Sequence, residues 1–558
     1  MKYHSSTSNL RAHLTTLHPD KLGDLSEEPP LKQARITSFL PLSSSRGLPA
    51  VRQKAITDKL TRFICKDMRP INITQGSGFK DFIRELEPRY TVPSRATITD
   101  RVVKLYETTS DNVRQMISGK KIALTTDGWT SLATEAYVTV TAHFINDVRE
   151  LKDVILKTAE AQKSHTAENV AECISNILGE YNVSRESVLS ITTDNAANYI
   201  NAVERRLQVV NVPCMAHTIN LAVRKGLAVR AIETPVSRLK ATALHFNKST
   251  TDSYLLESKQ ELLGLKHAKL INDCATRWNS TYDMVCRAAE QQAPVAAVIM
   301  EKKLGHLELT TSEWTLMEQV RAVLKPFKVA TEALSTDRFP TASAVLPLKY
   351  VLLSHLQPST GDPAALKEMK TKIKTDLYNR YSQDKDAFKL LNTASYLDPR
   401  FHRLIHLERD QRQEVREKIK GEISQLPVFA ERAAMAITRR EKTALSAMGD
   451  LFGDVYRQGA DASDGPLDIG AVLEQEMLIY ESETPLPSDC NPLSWWMTSQ
   501  SKYPHLAQLA RRYLSIPGTS VRAERVFSTA GIIVNKKRSA LDSENVDRLV
   551  FLANNLRD

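Results

Sequence analysis

Between Lys120 and Asn198 the apolar residues change their spacing, and that change limits the possible folds more than any other feature of the chain. Lys121-Ile122-Ala123-Leu124-Thr125-Thr126-Asp127-Gly128-Trp129-Thr130-Ser131 reads as a short strand ending in an aspartate at a turn. Tyr137 to Ile145 alternates as a second strand, and Leu151 to Ala161 gives a third. His165-Thr166-Ala167-Glu168-Asn169 then caps a helix running to about Tyr181, with Val170, Cys173, Ile174 and Ile177 turned inward. Val188 to Asp194 is a fourth strand, again ending in aspartate, and Asn195-Ala196-Ala197-Asn198 starts the next helix. Three strands, a helix, a strand and a helix predict an α/β sheet, and ligands of such sheets gather at strand ends.

Elsewhere the pattern is helical. Val51, Ile56, Leu60, Phe63 and Ile64 share one face, as do Phe79, Phe82, Ile83 and Leu86. Pro93-Ser94-Arg95 opens a helix carrying Ile98, Val102, Val103 and Tyr106. Residues 225–480 repeat long amphipathic patterns, among them Trp314 to Phe327 and Ala364 to Tyr381, as expected of a helical bundle. Residues 24–50 are rich in Ser, Pro and acidic residues and read as a linker; residues 457–492, acidic and rich in Gly, Pro and Ser, read as a loop. Helices are expected again at 503–514 and 543–556.

At 558 residues the chain is too long for one core. No apolar run approaches the roughly 18 residues of a membrane helix, and no signal segment is read at the N-terminus. Six scattered cysteines suit a reducing compartment, so a soluble intracellular protein is expected. Net charge is +10, a weak bias over this length, but Ser501 to Asp558 holds ten Lys or Arg against five Asp or Glu. Such a cluster suits phosphate backbone, although a solvated face has the same composition.

The last sixty residues carry Tyr503-Pro504-His505-Leu506-Ala507, Tyr513-Leu514-Ser515-Ile516-Pro517 and Ser520-Val521-Arg522-Ala523-Glu524-Arg525-Val526-Phe527-Ser528. This block closely resembles the C-terminal dimerisation region of hAT-superfamily transposases and the host proteins derived from them. The resemblance implies an RNase H-like domain interrupted by a large all-helical insertion, with a helical N-terminal domain: α/β plus α. It divides the chain into a partial BED-type zinc finger (1–23), the linker (24–50), a helical domain supporting DNA and the partner subunit (51–118), the first part of the RNase H-like domain (119–224), the insertion with its acidic loop (225–492) and the dimerisation region that completes the core (493–558).

By that resemblance Asp127, Asp194 and Glu524 are the catalytic acids of a DDE centre, which in this fold binds two divalent cations, Mg²⁺ or Mn²⁺, for phosphodiester chemistry. Taken alone, a strand-end aspartate caps the turn after it; the family-like setting of all three is what lifts them above that reading. Cys214 and His217, in Pro213-Cys214-Met215-Ala216-His217, fall near the site, with His217 a contact to the scissile phosphate. Without the resemblance the pair reads as packed structure, and no second pair completes a zinc site. Arg277 and Trp278 match an Arg-Trp pair near flanking DNA. Arg277 would meet phosphate, whereas Trp278 has two roles open to it, stacking on a flipped base or anchoring a helical core. Lys536, Lys537 and Arg538 are a DNA or nuclear-import contact, and Tyr396-Leu397-Asp398-Pro399-Arg400-Phe401 is a structural motif.

His13 and His18 have the spacing of a zinc-finger helix, but the Cys-x-x-Cys half does not precede them in this sequence, so Zn²⁺ at structural affinity is not expected from these two ligands. The expectation is a nuclear, DNA-binding, homodimerising protein with double-stranded DNA and itself as partners, no membrane and no small-molecule substrate. It is either a DNA transposase or a domesticated regulator of transcription that has kept the fold without the catalysis.

Overall fold

The computed structural model describes Thr16 and residues 47–130, 135–161, 164–274, 276–336, 339–382, 385–426, 469–533 and 542–556. His13, His18, Lys536, Lys537 and Arg538 lie outside the described residues, as does the 457–468 part of the expected loop. Among the described residues, no helix is long and apolar enough to cross a membrane.

Two compact units emerge, one of residues up to Thr57 with Thr74–Pro93, the other of Asp58–Ile73 with Ser94–Asp558. In the first, Gln53 Nε2 donates to the Thr91 carbonyl at 2.7 Å and the Thr57 and Tyr90 hydroxyls pair at 2.9 Å. Its Ser77–Leu86 helix buries none of its residues, so the apolar face expected there stands open at Phe82 and Leu86.

The second unit is built on a five-stranded sheet in the order β3-β2-β1-β4-β5. The strands are β1 (Ile122–Thr130), β2 (Ala136–Ile145), β3 (Leu151–Glu160), β4 (Val188–Thr193) and β5 (Asn211–Pro213). β1, β2 and β3 run antiparallel, while β4 lies parallel to β1 and β5 parallel to β4. The central strands are buried along nearly their whole length, which suits their Val, Ile and Thr content. Buried threonines satisfy one another across strands, Thr125 with Thr141 at 2.5 Å and Thr139 with Thr158 at 3.1 Å. The Ala167–Glu180 helix is capped by Thr166, whose hydroxyl accepts from Asn169 N–H, and buries Val170, Ile174, Ile177 and Leu178.

Two strand expectations change. β1 does not stop at Asp127 but continues to Thr130, because β2 pairs with it through Thr130↔Ala136 and Trp129 stacks on Tyr137. β5 was not expected at all; three residues with a terminal proline are too short to show alternation.

After β5 the chain is helical from Met215–Leu227 to Arg409–Ser424, and its apolar residues form one cluster with Ala123, Ile145 and Val212 of the sheet. Within the stretch read as an acidic loop, Ile469–Ser482 is a helix that buries Leu473, Met477 and Tyr480. Burial of that dense apolar run outweighs the acidic, Gly-containing composition that suggested a loop. Tyr480 packs among Trp495, Trp496 and Tyr503, and Trp496 Nε1 donates to the Leu397 carbonyl at 2.9 Å. The last helix, Ser543–Asn555, covers the edge strand: Asp547 accepts from Thr158 N–H at 2.8 Å, and Asn555 both accepts from Ile155 N–H and donates to its carbonyl. Those side chains occupy backbone groups that an open sheet edge would leave free for another chain.

Candidate active site

The register of the sheet sets the first two acids side by side. Thr125 of β1 stands opposite Thr192 of β4, so two steps further along each parallel strand come Asp127 and Asp194. Asp127 is 8% exposed, and one of its oxygens accepts from Gly128 N–H at 2.8 Å. Asp194 begins the turn after β4 and accepts from Ala196 N–H at 3.2 Å. Both therefore make the short turn bonds that any aspartate in such a position makes, and both keep lone pairs to spare.

Glu524 arrives from the far end of the chain. It lies in the first turn of the Val521–Ile533 helix, where its N–H donates to the Ser520 carbonyl at 3.1 Å. The segment before that helix is fastened to the ends of β4 and β5. Thr192 Oγ1 donates to the Pro517 carbonyl at 2.7 Å, Met215 N–H to the Gly518 carbonyl at 3.0 Å, and Ser520 N–H to the Cys214 sulfur at 3.3 Å. Gly518 is needed there, since a Cβ would lie 2.7 Å from Val345 and 2.9 Å from the Thr341 carbonyl. Cys214 thus touches the backbone that carries Glu524, and burial pushes its thiol up to about 11.

The three acids share one electrostatic field. The Asp127 carboxyl is pushed up to about 8, first by burial and then by the charges of Asp194 and Glu524. Glu524 is also raised, by burial first, while Arg277 and His217 pull it down and Asp194 pushes it up. Glu524 therefore lies within charge range of Asp127, Asp194, His217 and Arg277, and Asp127 within charge range of Asp194. Arg277 is exposed, at the N-cap of the Trp278–Glu290 helix. Trp278 is buried at 3% exposure, edge-on to Tyr282. Its backbone N–H donates to Asn220 Oδ1 at 3.1 Å, and Asn220 Nδ2 donates to the Thr276 carbonyl, so this pair is tied to the helix that bears His217.

Among the described residues, no group of three or more His, Cys, Asp or Glu side chains is drawn together closely enough to hold a metal ion. The acids are neighbours in charge, not a closed ligand shell. Two residues that sequence reasoning passed over also belong to this neighbourhood. Asn195 Nδ2 donates to Thr218 Oγ1 at 2.9 Å, joining the Asp194 turn to the His217 helix, and Tyr199 stands in the field of Asp127 and Asp194. Both lie in Asn195-Ala196-Ala197-Asn198-Tyr199, which reads from the sequence as a helix start within the family-like run after Asp194.

A mixed sheet in the order 3-2-1-4-5, one acid within β1 and one just past the adjacent parallel β4, and a long helical insertion before the closing helices define an RNase H-like fold of the interrupted kind. Four family models match the chain: the Hermes transposase DNA-binding domain over residues 46–87, the ZBED1 RNase-like domain over 125–217, the ZBED1 RNase-like helical domain over 212–323 and the hAT family C-terminal dimerisation region over 474–556. Over these stretches the chain is similar to hAT-family transposases and to zinc finger BED proteins. It is 23% identical to zinc finger BED domain-containing protein 4 of Homo sapiens, across 99% of this chain and 48% of that protein. Zinc finger BED domain-containing protein 6 of Homo sapiens is 26% identical over 90% of this chain and 55% of its own length. A Zea mays protein bearing the AC transposase name is 23% identical over 98% of this chain and 70% of its length. The chain spans about half the length of the two human relatives.

Proposed function

We propose that this protein is a nuclear, DNA-binding, self-associating member of the transposase lineage whose acid centre cuts and joins DNA strands. The observation that supports the reading is that Asp127, Asp194 and Glu524, from three distant stretches of chain, lie within charge range of one another, the first two each two residues beyond the paired Thr125 and Thr192. DNA binding is supported by the match of residues 46–87 to a transposase DNA-binding domain, and self-association by the match of 474–556 to a dimerisation region.

Asp127, Asp194 and Glu524 would hold Mg²⁺ or Mn²⁺. Their donor chemistry fits: three carboxylates are hard oxygen ligands, and magnesium keeps several waters and takes only one or two protein carboxylates with substrate phosphates, so an open set suffices. When bound, such ions activate an attacking oxygen and stabilise the leaving oxygen of a phosphodiester. The chain's own residues do the rest. Arg277, exposed beside Glu524, offers a planar donor to a phosphate oxygen. His217, in the first turn of its helix, lies within charge range of the same carboxylate. Trp278, buried, holds the Arg277 turn in place rather than presenting its ring to a base.

A second reading is favoured by the names of the relatives, which divide at equal similarity between zinc finger BED proteins and AC transposases. In it, the fold binds DNA and a second copy to regulate transcription, and the acid centre is idle. The two separate on cleavage of a pre-nicked duplex by the purified chain in Mn²⁺, beside Asp194→Asn. Cleavage that the variant loses supports the first; retained DNA binding and dimerisation without cleavage establish the second.

A further inference from the structure

The helix that bears Glu524 is fastened to both sides of the sheet. On one side, the backbone of Pro517, Gly518 and Ser520 is bonded to Thr192, Met215 and Cys214 at the ends of β4 and β5. On the other, Arg522 pairs through Nε with Asp153 of β3, the opposite edge strand. Both side chains are buried, at 12% and 9% exposure. Arg525 of the same helix donates to the Ser335 carbonyl at 2.6 Å, and Ala523 and Val526 are buried. Asp153 stands opposite His143 of β2, whose Nε2 lies 2.8 Å from Thr141 Oγ1; Thr141 in turn pairs with Thr125, two residues before Asp127. Residues paired across strands share a face. A row of polar side chains therefore crosses the sheet from the strand of Asp127 to the helix of Glu524.

A buried ion pair is a poor source of stability, since apolar residues of like volume often serve as well or better. Its best-attested use is to select one register among several. Arginine suits that use, because its planar guanidinium holds a carboxylate in a fixed orientation. An α-helix turns by about 100° per residue, so Arg522 and Glu524 project about 200° apart, to nearly opposite sides. At a side-chain radius of roughly 5–6 Å, a rotation of about 10° moves the Glu524 carboxylate by about 1 Å. Metal ligands are held to distances within roughly 0.2 Å, so a shift of that size matters.

We propose that Arg522 and Asp153 are positioning residues of the acid centre, their ion pair setting the rotation of the Val521–Ile533 helix and so the place of the Glu524 carboxylate. The inference rests on the reading that Asp127, Asp194 and Glu524 hold a divalent cation. In it neither Arg522 nor Asp153 is a ligand; both act through Glu524.

The test is Mn²⁺ binding by the full chain without DNA, measured by calorimetry as the difference from Asp194→Asn, alongside the melting temperature. Asp153→Asn with Arg522→Gln replaces the pair by two amides, leaving net charge unchanged and no charge stranded. This double variant is expected to bind Mn²⁺ about tenfold more weakly, the usual effect of losing a group that orients a ligand, while melting close to the parent. Placed in a Glu524→Gln chain, the same two changes should weaken Mn²⁺ binding no further, because the group they position is gone. A merely structural role would weaken binding in both backgrounds, and that result overturns the proposal. Should the double variant not fold, Arg522→Lys, which keeps the charge without the planar fork, decides by the same comparison. Either variant binding Mn²⁺ like the parent overturns the positioning role and leaves the reading of the acid centre intact. A parent that binds no more Mn²⁺ than Asp194→Asn overturns both.

Discussion

Two buried carboxylate sites in this chain are built in opposite ways. Asp398 is fully buried in the helical insertion and fully answered. Arg400 clasps it with Nε at 2.9 Å and Nη2 at 2.7 Å, its own N–H adds a bond at 3.0 Å, and Ser343 donates at 2.6 Å. Arg400 then spends its remaining donors on the carbonyls of Pro340 and Ser488, so one ion pair ties three segments together. Asp127 is almost as buried, but its charged neighbours are Asp194 and Glu524, and its described carboxyl bond is to the next residue in the chain. A buried charge is tolerated when geometry and hydrogen bonds compensate it. The insertion meets that condition within the protein; the acid centre leaves it to something from outside.

That contrast makes the two sites respond differently to the same change, and the largest difference lies in the insertion. Asp398→Ala should destabilise the second unit by about 3–5 kcal/mol, because it strands Arg400 without its partner; urea denaturation measures this. Asp127→Asn should do the reverse at neutral and higher pH. With its folded-state carboxyl pushed up to about 8 from an ordinary 3.8, the native state keeps a proton that the unfolded chain releases. Stability from this group is therefore complete below about pH 4 and is lost as pH rises toward 8, a term on the order of a few kcal/mol. Asp127→Asn should flatten that slope and melt above the parent at pH 8, although with no gain at pH 4; melting curves across this window check both limbs. Equal slopes in parent and variant would remove the contrast. The smallest effect is expected at Ser343→Ala, which takes one of several donors from Asp398 and should cost about 1 kcal/mol, seen as a modest fall in urea midpoint without loss of fold.

The same contrast explains what could be read from the sequence. Strand β2 shows alternation because successive side chains of a strand point to opposite faces of the sheet, and the helix after Thr166 shows its cap and its apolar stripe. Asp127 and Asp194 were visible because each follows a β-rich run, but the end of β1 was misplaced: pairing with β2 carries it through Gly128 to Thr130, and such pairing is a property of two strands. β5 escaped notice for its three-residue length, and Ile469–Ser482 because its helix depends on burying Leu473, Met477 and Tyr480 against the rest of the unit. Tyr199 carries no motif. Its place is set by a turn, a helix start and an absent side chain on another strand, and only coordinates bring those together. Likewise the spacing of Cys214 and His217 could not distinguish the thiol that receives Ser520 N–H from the imidazole that faces Glu524.

The central claim is that Asp127, Asp194 and Glu524 act as one unit. Cleavage of a pre-nicked duplex in Mn²⁺ by Asp127→Asn, Asp194→Asn, Glu524→Gln and the three pairwise combinations tests it most directly, since residues that work together lose activity without additivity. Each single change should abolish cleavage to the same floor, with DNA binding kept, and each double should be no worse than its singles. Singles that each leave partial cleavage, with losses that multiply in the doubles, would show three independent acids and contradict the account.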